Sequence, residues 1–331
     1  MQTRTRYFLL GSVAILLAGL CVGLVAYVGA GAPAPQAGAP DELSLLPAES
    51  ALVAYADVQA VMASSFRQRL LAALPSEHRA PDRIRESTGI DVERDIDSVV
   101  AGFVPDGSLN ERQGSPLIVV KGRFDATRLE AVAVEHGGTA GEHAGIRLVH
   151  FDSRREPGTV AFFTPGVLVV GDDALVRQAI DRGMNGGGVR SNEVVMQLIG
   201  AIEPGSSAWA VGRVEAMNLE GTGQLSPEMA SRIPAIEWFS ASTRINGGLS
   251  GNLRAEARDE QAAQDLRQVA QGFLALARLQ TNESPELRPL FDSLQFGGSG
   301  RTVALSFDLP LEVIDGLEQL FRERNAAPAG P

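Results

Sequence analysis

The sequence predicts an α+β fold in which an N-terminal transmembrane helix precedes two similar units of mostly antiparallel sheet with helices packed on one face. Three observations predict it. An uncharged apolar run of 22 residues, Tyr7 to Val28, opens the chain. Beyond it, short alternating strands are punctuated by turn residues, among them Asn246-Gly247, the strongest short hairpin signal. The order strand, helix, hairpin, helix, strand, helix then runs twice through the rest of the chain.

Residues 7–28 read YFLLGSVAILLAGLCVGLVAYV, which as a helix at about 1.5 Å per residue covers roughly 33 Å, the thickness of a bilayer core. Arg4 and Arg6 precede the run and no basic residue closely follows it. The positive-inside rule therefore makes residues 1–6 a cytoplasmic stub and sends the bulk of the chain outward. The alternative is a cleaved secretory signal, but its apolar stretch spans only about 7 to 15 residues, which favours an uncleaved anchor. Lipidation at Cys21 is disfavoured, because Leu20 stands where a small residue is needed. Ser12, Gly19, Gly23 and Ala26 share one face of the helix. Gly19 to Gly23 is a GxxxG seam that lets two backbones approach closely, so this face is a candidate homodimer contact within the membrane. Residues 29–45 read as a spacer, extended through the Pro- and Ala-rich stretch up to Pro40.

The first unit, residues 46–188, opens with an apolar strand at 51–58 and a helix from Val61 to Leu74, where Phe66, Leu70 and Leu74 recur at helical spacing. A short helix over 80–89 ends at Gly89. Strands at 97–104 and 116–124 flank the polar loop GSLNERQGS. Asp125 caps a helix that stops at Gly137-Gly138. Strands follow at 146–152 and on either side of Pro165-Gly166, and Asp172 caps the next helix. Gly186-Gly187-Gly188 reads as a hinge and not a phosphate loop, since no Lys and Ser or Thr follow the glycines.

The second unit, residues 189–324, begins with a helix over 193–202 and a strand over 207–214. A hairpin of IEWFSASTRI and LSGNLRAEA closes at Asn246-Gly247. A helix from Asp259 to Gln280 places Leu266, Val269 and Phe273 on one face. A short helix over 285–293, the strand TVALSFDL, a helix over 311–324 and a disordered tail over 325–331 complete the chain. PLIVVKGRFDATRLEAV answers GNLRAEARDEQAAQDLRQV, and TVAFFTPGVLVVGDDALVRQAI answers TVALSFDLPLEVIDGL, at offsets of about 140 residues, as an internal duplication would leave them.

The strings TGIDVERDIDSVVAGF, VKGRFDATRLEAV and VLVVGDDALVRQAID resemble a family of bacterial envelope proteins of unknown function that carry an N-terminal anchor and repeated α+β units. The resemblance runs over roughly residues 45–320 and implies a location in the bacterial inner membrane with the bulk of the chain periplasmic. It implies no activity.

Composition narrows the chemistry. Of 29 basic residues only Arg4 and Arg6 precede Asp41, which leaves 27 against 40 acidic groups in the rest of the chain. Such a surface repels phosphate, so nucleic acid is an unsuitable partner. With Cys21 as the single cysteine, neither an internal disulfide nor a thiolate metal site can form. His136, His143 and His150 recur every seven residues beside Glu135, Glu142 and Asp152, the nitrogen and oxygen donors that would bind zinc. The expected placement of a helix end, a loop and a strand gives no local reason for the three rings to converge. The pairs Asp172-Asp173, Asp91 with Glu93, and Asp95 with Asp97 are better explained as caps and solvated carboxylates than as calcium ligands. Trp209, Trp238 and Phe239, on strands, read as core before ligand platform.

These features point to a membrane-anchored extracytoplasmic binding or interaction protein of the cell envelope, non-catalytic and without a cofactor, with an envelope protein or envelope component as partner. The alternatives are an extracytoplasmic hydrolase or metal-dependent enzyme using His136, His143 and His150, and a carrier of an apolar ligand.

Overall fold

The computed structural model describes residues 40–64, 90–105, 114–151, 158–213, 236–245, 247–280 and 288–310. The predicted membrane span, the part of the Val61 to Leu74 helix beyond Ser64, the helices expected over 80–89 and 311–324, and Asn246 lie outside the described residues. Among the described residues no helix is long and apolar enough to cross a membrane.

One antiparallel sheet organises the chain. Its strands are β1 (Leu52–Asp57), β2 (Ile96–Pro105), β3 (Gly114–Gly122), β4 (Thr139–His143), β5 (Ile146–Phe151), β6 (Gly158–Thr164) and β7 (Val167–Gly171) from the first half. The second half supplies β8 (Ala208–Arg213), β9 (Ile236–Ile245), β10 (Gly248–Ala257), β11 (Gln295–Gly297) and β12 (Thr302–Pro310). The twelve strands run in the order β11-β12-β10-β9-β8-β1-β2-β3-β7-β6-β5-β4. β1 and β8, the first strands of the two halves, pair antiparallel at the centre, with Tyr55 opposite Trp209. From there β2, β3 and β7 extend one way and β9, β10 and β12 the other. The two halves therefore share a continuous sheet, where two separate sheets were expected.

The helices lie on both faces, which corrects the expectation of one. On the first face, Val176, Ala179 and Ile180 of α4 (Asp173–Asn185) and Val195 and Ile199 of α5 (Glu193–Gly200) pack over Val53, Tyr55, Val100, Val119 and Val169. On the second, α1 (Val58–Met62) covers Val99 and Ile118. Ala126, Leu129 and Ala133 of α3 (Ala126–Glu135) cover Val149, Phe162 and Leu168 there, while the single turn α2 (Val92–Asp95) leads into β2. Further along the second face, α6 (Glu260–Gln280) sets Ala262, Ala263 and Leu266 against Ala257 and Val303, and α7 (Arg288–Ser293) leads to the β11 edge. The reason is in the strands. Runs such as LIVV in β3 and VLVV in β7 present apolar side chains at odd and even positions alike, so both faces demand cover.

Residues 41–45, expected in the spacer, belong to the folded unit instead. They form a 3-10 helix whose Leu43 and Leu45, with Leu46 after it, are buried in the main core. Glu42, only 8% exposed, pairs with Lys121 of β3 at 2.7 Å. Three leucines in six residues bury too much apolar surface to be left in water, at roughly 1.5–3 kcal/mol each. The segment is held on its other side by the 3-10 turn Gly188–Ser191, where Val189 N–H donates to Leu46 O at 2.9 Å. Of the three glycines expected to act as a hinge, Gly188 forms a close contact, while a Cβ on Gly186 or Gly187 would meet nothing within 4 Å. Gly188 has φ 71°, and a Cβ on it would stand 2.4 Å from Ser44 O and 2.5 Å from Leu46 O.

Gly188→Ala should lower the melting temperature well beyond Gly186→Ala. Both residues have positive φ, but a Cβ on Gly186 meets nothing within 4 Å. The expected cost at Gly188 is on the order of 1–3 kcal/mol or more. Equal shifts in the two variants would show that the contact with residues 44–46 is not made.

Candidate functional site

The three histidines singled out by spacing do not converge, because the sheet parts His136 from His143 and His150. His136 ends α3 on the second face, where its Nδ1 bonds Val132 O at 2.8 Å and favours the helix terminus. His143 of β4 and His150 of β5 face the other way, towards α4. His143 Nε2 bonds Asp181 Oδ1 at 2.9 Å, and His150 Nδ1 lies 3.0 Å from Asp173 Oδ1 and 2.9 Å from Thr159 Oγ1. Arg177 of α4 sits between the rings, one terminal nitrogen 3.4 Å from His143 Nδ1 and the other 3.4 Å from His150 Nε2. Its Nε donates to Asp173 Oδ2 at 2.9 Å, and this hydrogen bond holds the Asp173 carboxyl below the usual carboxylate range. A guanidinium thus occupies the ring nitrogens that a cation would need. Among the described residues no group of three or more His, Cys, Asp or Glu is placed to hold a metal ion.

The carboxylate pairs serve as caps and ion pairs, except that Asp172, expected to cap α4, makes no side-chain cap hydrogen bond there. Asp91 accepts from Glu93 N–H, Asp95 accepts from Asp91 N–H, and Asp97 pairs with Arg123 at 3.4 Å. Asp172 accepts from Ser115 across the gap between α4 and β3. Trp209 stacks on Tyr55 with ring centroids 5.7 Å apart, and Phe239 is buried beside Ala54 and Ala210. Trp238 lies under the Arg213 guanidinium at 5.0 Å.

Asp57, at the end of β1, was not singled out by sequence. Its Oδ1 accepts from Ala60 N–H at 3.0 Å and caps α1, which any helix-start pattern would suggest. Its Oδ2 is buried without a hydrogen-bond partner, in a side chain only 1% exposed. Burial raises its pKa to about 7; the Ala60 hydrogen bond opposes that shift and the Asp97 charge adds to it. Two residues earlier, the Tyr55 hydroxyl is also buried and unpartnered, and burial, then Asp57 and Glu42, raise its pKa above the ordinary phenol value.

A different region of the first face is open in a way that the core is not. Over β9, β10 and β12 that face alternates to polar residues, while Phe239, Leu253 and Val303 turn to the other side. Ser242, Asn252, Ser306 and Gln295 stand opposite one another in a cross-strand row, and Arg244, Ser250 and Asp308 form the next. A groove of about 280 Å³ lies over these two rows. Glu203 and Ser206, in the turn after α5, make one wall, and Ser293 with Gln295 the other. Arg244 is steadied by Pro204 O at 2.8 Å and Glu203 at 3.5 Å. These residues escaped the sequence reading, although the alternation Trp238, Ser240, Ser242, Arg244 was visible in it. Which sheet face would go without a helix could not be read from that pattern.

No family model matches this chain, and no curated protein matches it. Among solved structures, crystal form I of TP0453 superposes with a TM-score of 0.50 at 11% identity, covering 86% of this chain and 98% of that one. Crystal form IV of TP0453 gives 0.49 at 8% identity, covering 86% and 97%. At 11% identity the first of these likenesses shows a shared α+β fold and nothing of the chemistry. The resemblance to envelope proteins rests on the sequence strings alone.

Two outcomes follow from this geometry. Since the unfolded Asp57 ionises near 3.8 and the folded one near 7, the native state binds an extra proton between those values, and its stability falls as pH rises through that window. Asp57→Asn removes this term, so its melting temperature relative to the unaltered chain should rise between about pH 5 and pH 8. A difference that is flat with pH would refute the buried-carboxylate account. For the histidines, replacing His136, His143 and His150 together by Ala should leave the zinc content of the purified chain unchanged by elemental analysis, whereas loss of stoichiometric zinc would restore the metal site.

Proposed function

We propose that this chain is a membrane-anchored extracytoplasmic protein of the bacterial cell envelope that acts by binding, and that the groove over β9, β10 and β12 is its binding surface. One observation carries the reading. The sheet face that α4 and α5 seal over the first half continues as a grooved, hydroxyl-lined surface over the second, with Arg244 and Asp308 reaching into it. Polar groups that converge in a concavity orient a ligand, whereas groups that serve only the fold are paired internally.

The anchor belongs to the same reading. The uncharged run 7–28 would hold the chain in the inner membrane with its N-terminus cytoplasmic, and residues 29–40 would set the folded part away from the lipid. Helix pairing through Ser12, Gly19, Gly23 and Ala26 would display two grooves side by side and raise their effective concentration towards a repetitive partner. The matching outward order of β1-β2-β3-β7 and β8-β9-β10-β12 supports a diverged duplication in which the second half kept its first face open.

Two measurements test the proposal. A reporter enzyme active only in the periplasm, fused after Pro331, should be active; activity of a cytoplasmic reporter alone at that position would reverse the topology. The full chain should capture an envelope component from membranes, and Arg244→Gln with Asp308→Asn should abolish the capture. Capture unaffected by these changes would remove the groove from the function.

A further inference from the structure

We propose that the groove over β9, β10 and β12 takes a short, uncharged saccharide, which rests on the binding reading above and narrows it to a ligand class. The lining excludes the other classes in turn. An apolar chain would bury the hydroxyls of Ser242, Ser250 and Ser306 against carbon, at a cost of roughly 1–3 kcal/mol for each group left unpaired. An anion meets Asp308 and Glu203, while Arg244, the one cation among the described residues of the lining, is already engaged by Glu203 and Pro204 O. An extended peptide binds best by adding to a strand edge. Here the groove floor is a sheet face and not an edge; β11 pairs with β12 across Ala304, Leu305 and Ser306 alone, and the trialanine arm of the test below decides against strand addition along the rest of β12.

What remains is a ligand rich in hydroxyls. Each serine hydroxyl can donate and accept, as can the amide of Gln295, so these groups pair with a sugar hydroxyl of either orientation. Asp308 adds an acceptor on the neighbouring cross-strand row, directly opposite Ser250. The rows present polar groups about 4.8 Å apart across strands and about 6.8 Å along them, a grid on the scale of a sugar ring and its substituents. The volume of about 280 Å³ falls at the small end of ligand pockets, roughly 300 Å³, and fits one or two rings better than a long polymer.

The test uses the full chain in a detergent with a zwitterionic headgroup, because a saccharide headgroup would compete. Calorimetric titration with maltotriose and with tri-N-acetylchitotriose should show saturable binding of at least one. Ser242→Ala with Ser306→Ala should weaken it about tenfold, the effect of losing one or two hydrogen bonds. Asp308→Asn, at an exposed position, should weaken it comparably without lowering the melting temperature. If neither saccharide binds the unaltered chain, the ligand class is wrong; the binding reading then stands or falls by the membrane capture and its dependence on Arg244 and Asp308. Equal affinity in all variants would place any saccharide outside the groove and overturn the proposal. So would groove-dependent binding of trialanine in place of the sugars.

Discussion

Burial of the segment from Asp41 to Leu46 is the constraint on which the rest of this structure depends. Leu43 and Leu46 are wholly enclosed, and between them they touch the sheet, α4 and the Gly188–Ser191 turn. The segment is tied both to α4 of the first half and to the turn that opens the second. Its backbone is used as fully as its side chains. Leu45 O accepts from Arg182 Nε at 3.2 Å, Leu46 O accepts from Val189 N–H, and Ala48 O accepts from Asn192 Nδ2 at 2.9 Å. The chain therefore enters the fold through its core, and a pull on the residues before Pro40 would act on the centre of the domain.

The continuous sheet follows from the same arrangement. With β1 and β8 paired down the middle, each half lends its first strand to the other, and the main core draws residues from both, Val53 and Tyr55 with Trp209 and Val211. The two faces are not equivalent along its length. Near β1, β3 and β7, apolar residues at both parities call for helices above and below. Beyond β8 the strands are apolar on one parity only, so α6 suffices and the opposite face is free to carry serines, Arg244 and Asp308. The likeness to TP0453 concerns this frame, and the groove chemistry is a property of the side chains placed on it.

Charged groups mark the difference between structural and available polarity. Arg177 is consumed by His143, His150 and Asp173, and Lys121 by Glu42, so these residues join elements together. Asp57 caps α1 with one oxygen and leaves the other buried, which ties part of the stability to proton uptake. In the groove, by contrast, Asp308 is exposed on the polar face of β12, and the serines beside it offer hydroxyls to whatever enters.

Local signals carried far in this chain. Asp125 caps α3 through Thr127 and Arg128 N–H, Asp259 caps α6 through Ala262 N–H, and the β9-β10 hairpin turns at Gly247 with Ile245 opposite Leu249. Each depends on a few adjacent residues, so sequence alone determined it, together with the strand positions and the mainly antiparallel character. The short strands β4 and β11 were missed because TAGEH and QFG carry too few alternating positions to register. Three decisions required the tertiary structure: that twelve strands form one sheet, that His136 is parted from His143 and His150 by that sheet, and that the second half leaves one face open to form a groove. All three turn on contacts between residues distant in the chain, whose register and cover are set by how whole elements pack and not by any pattern within one of them.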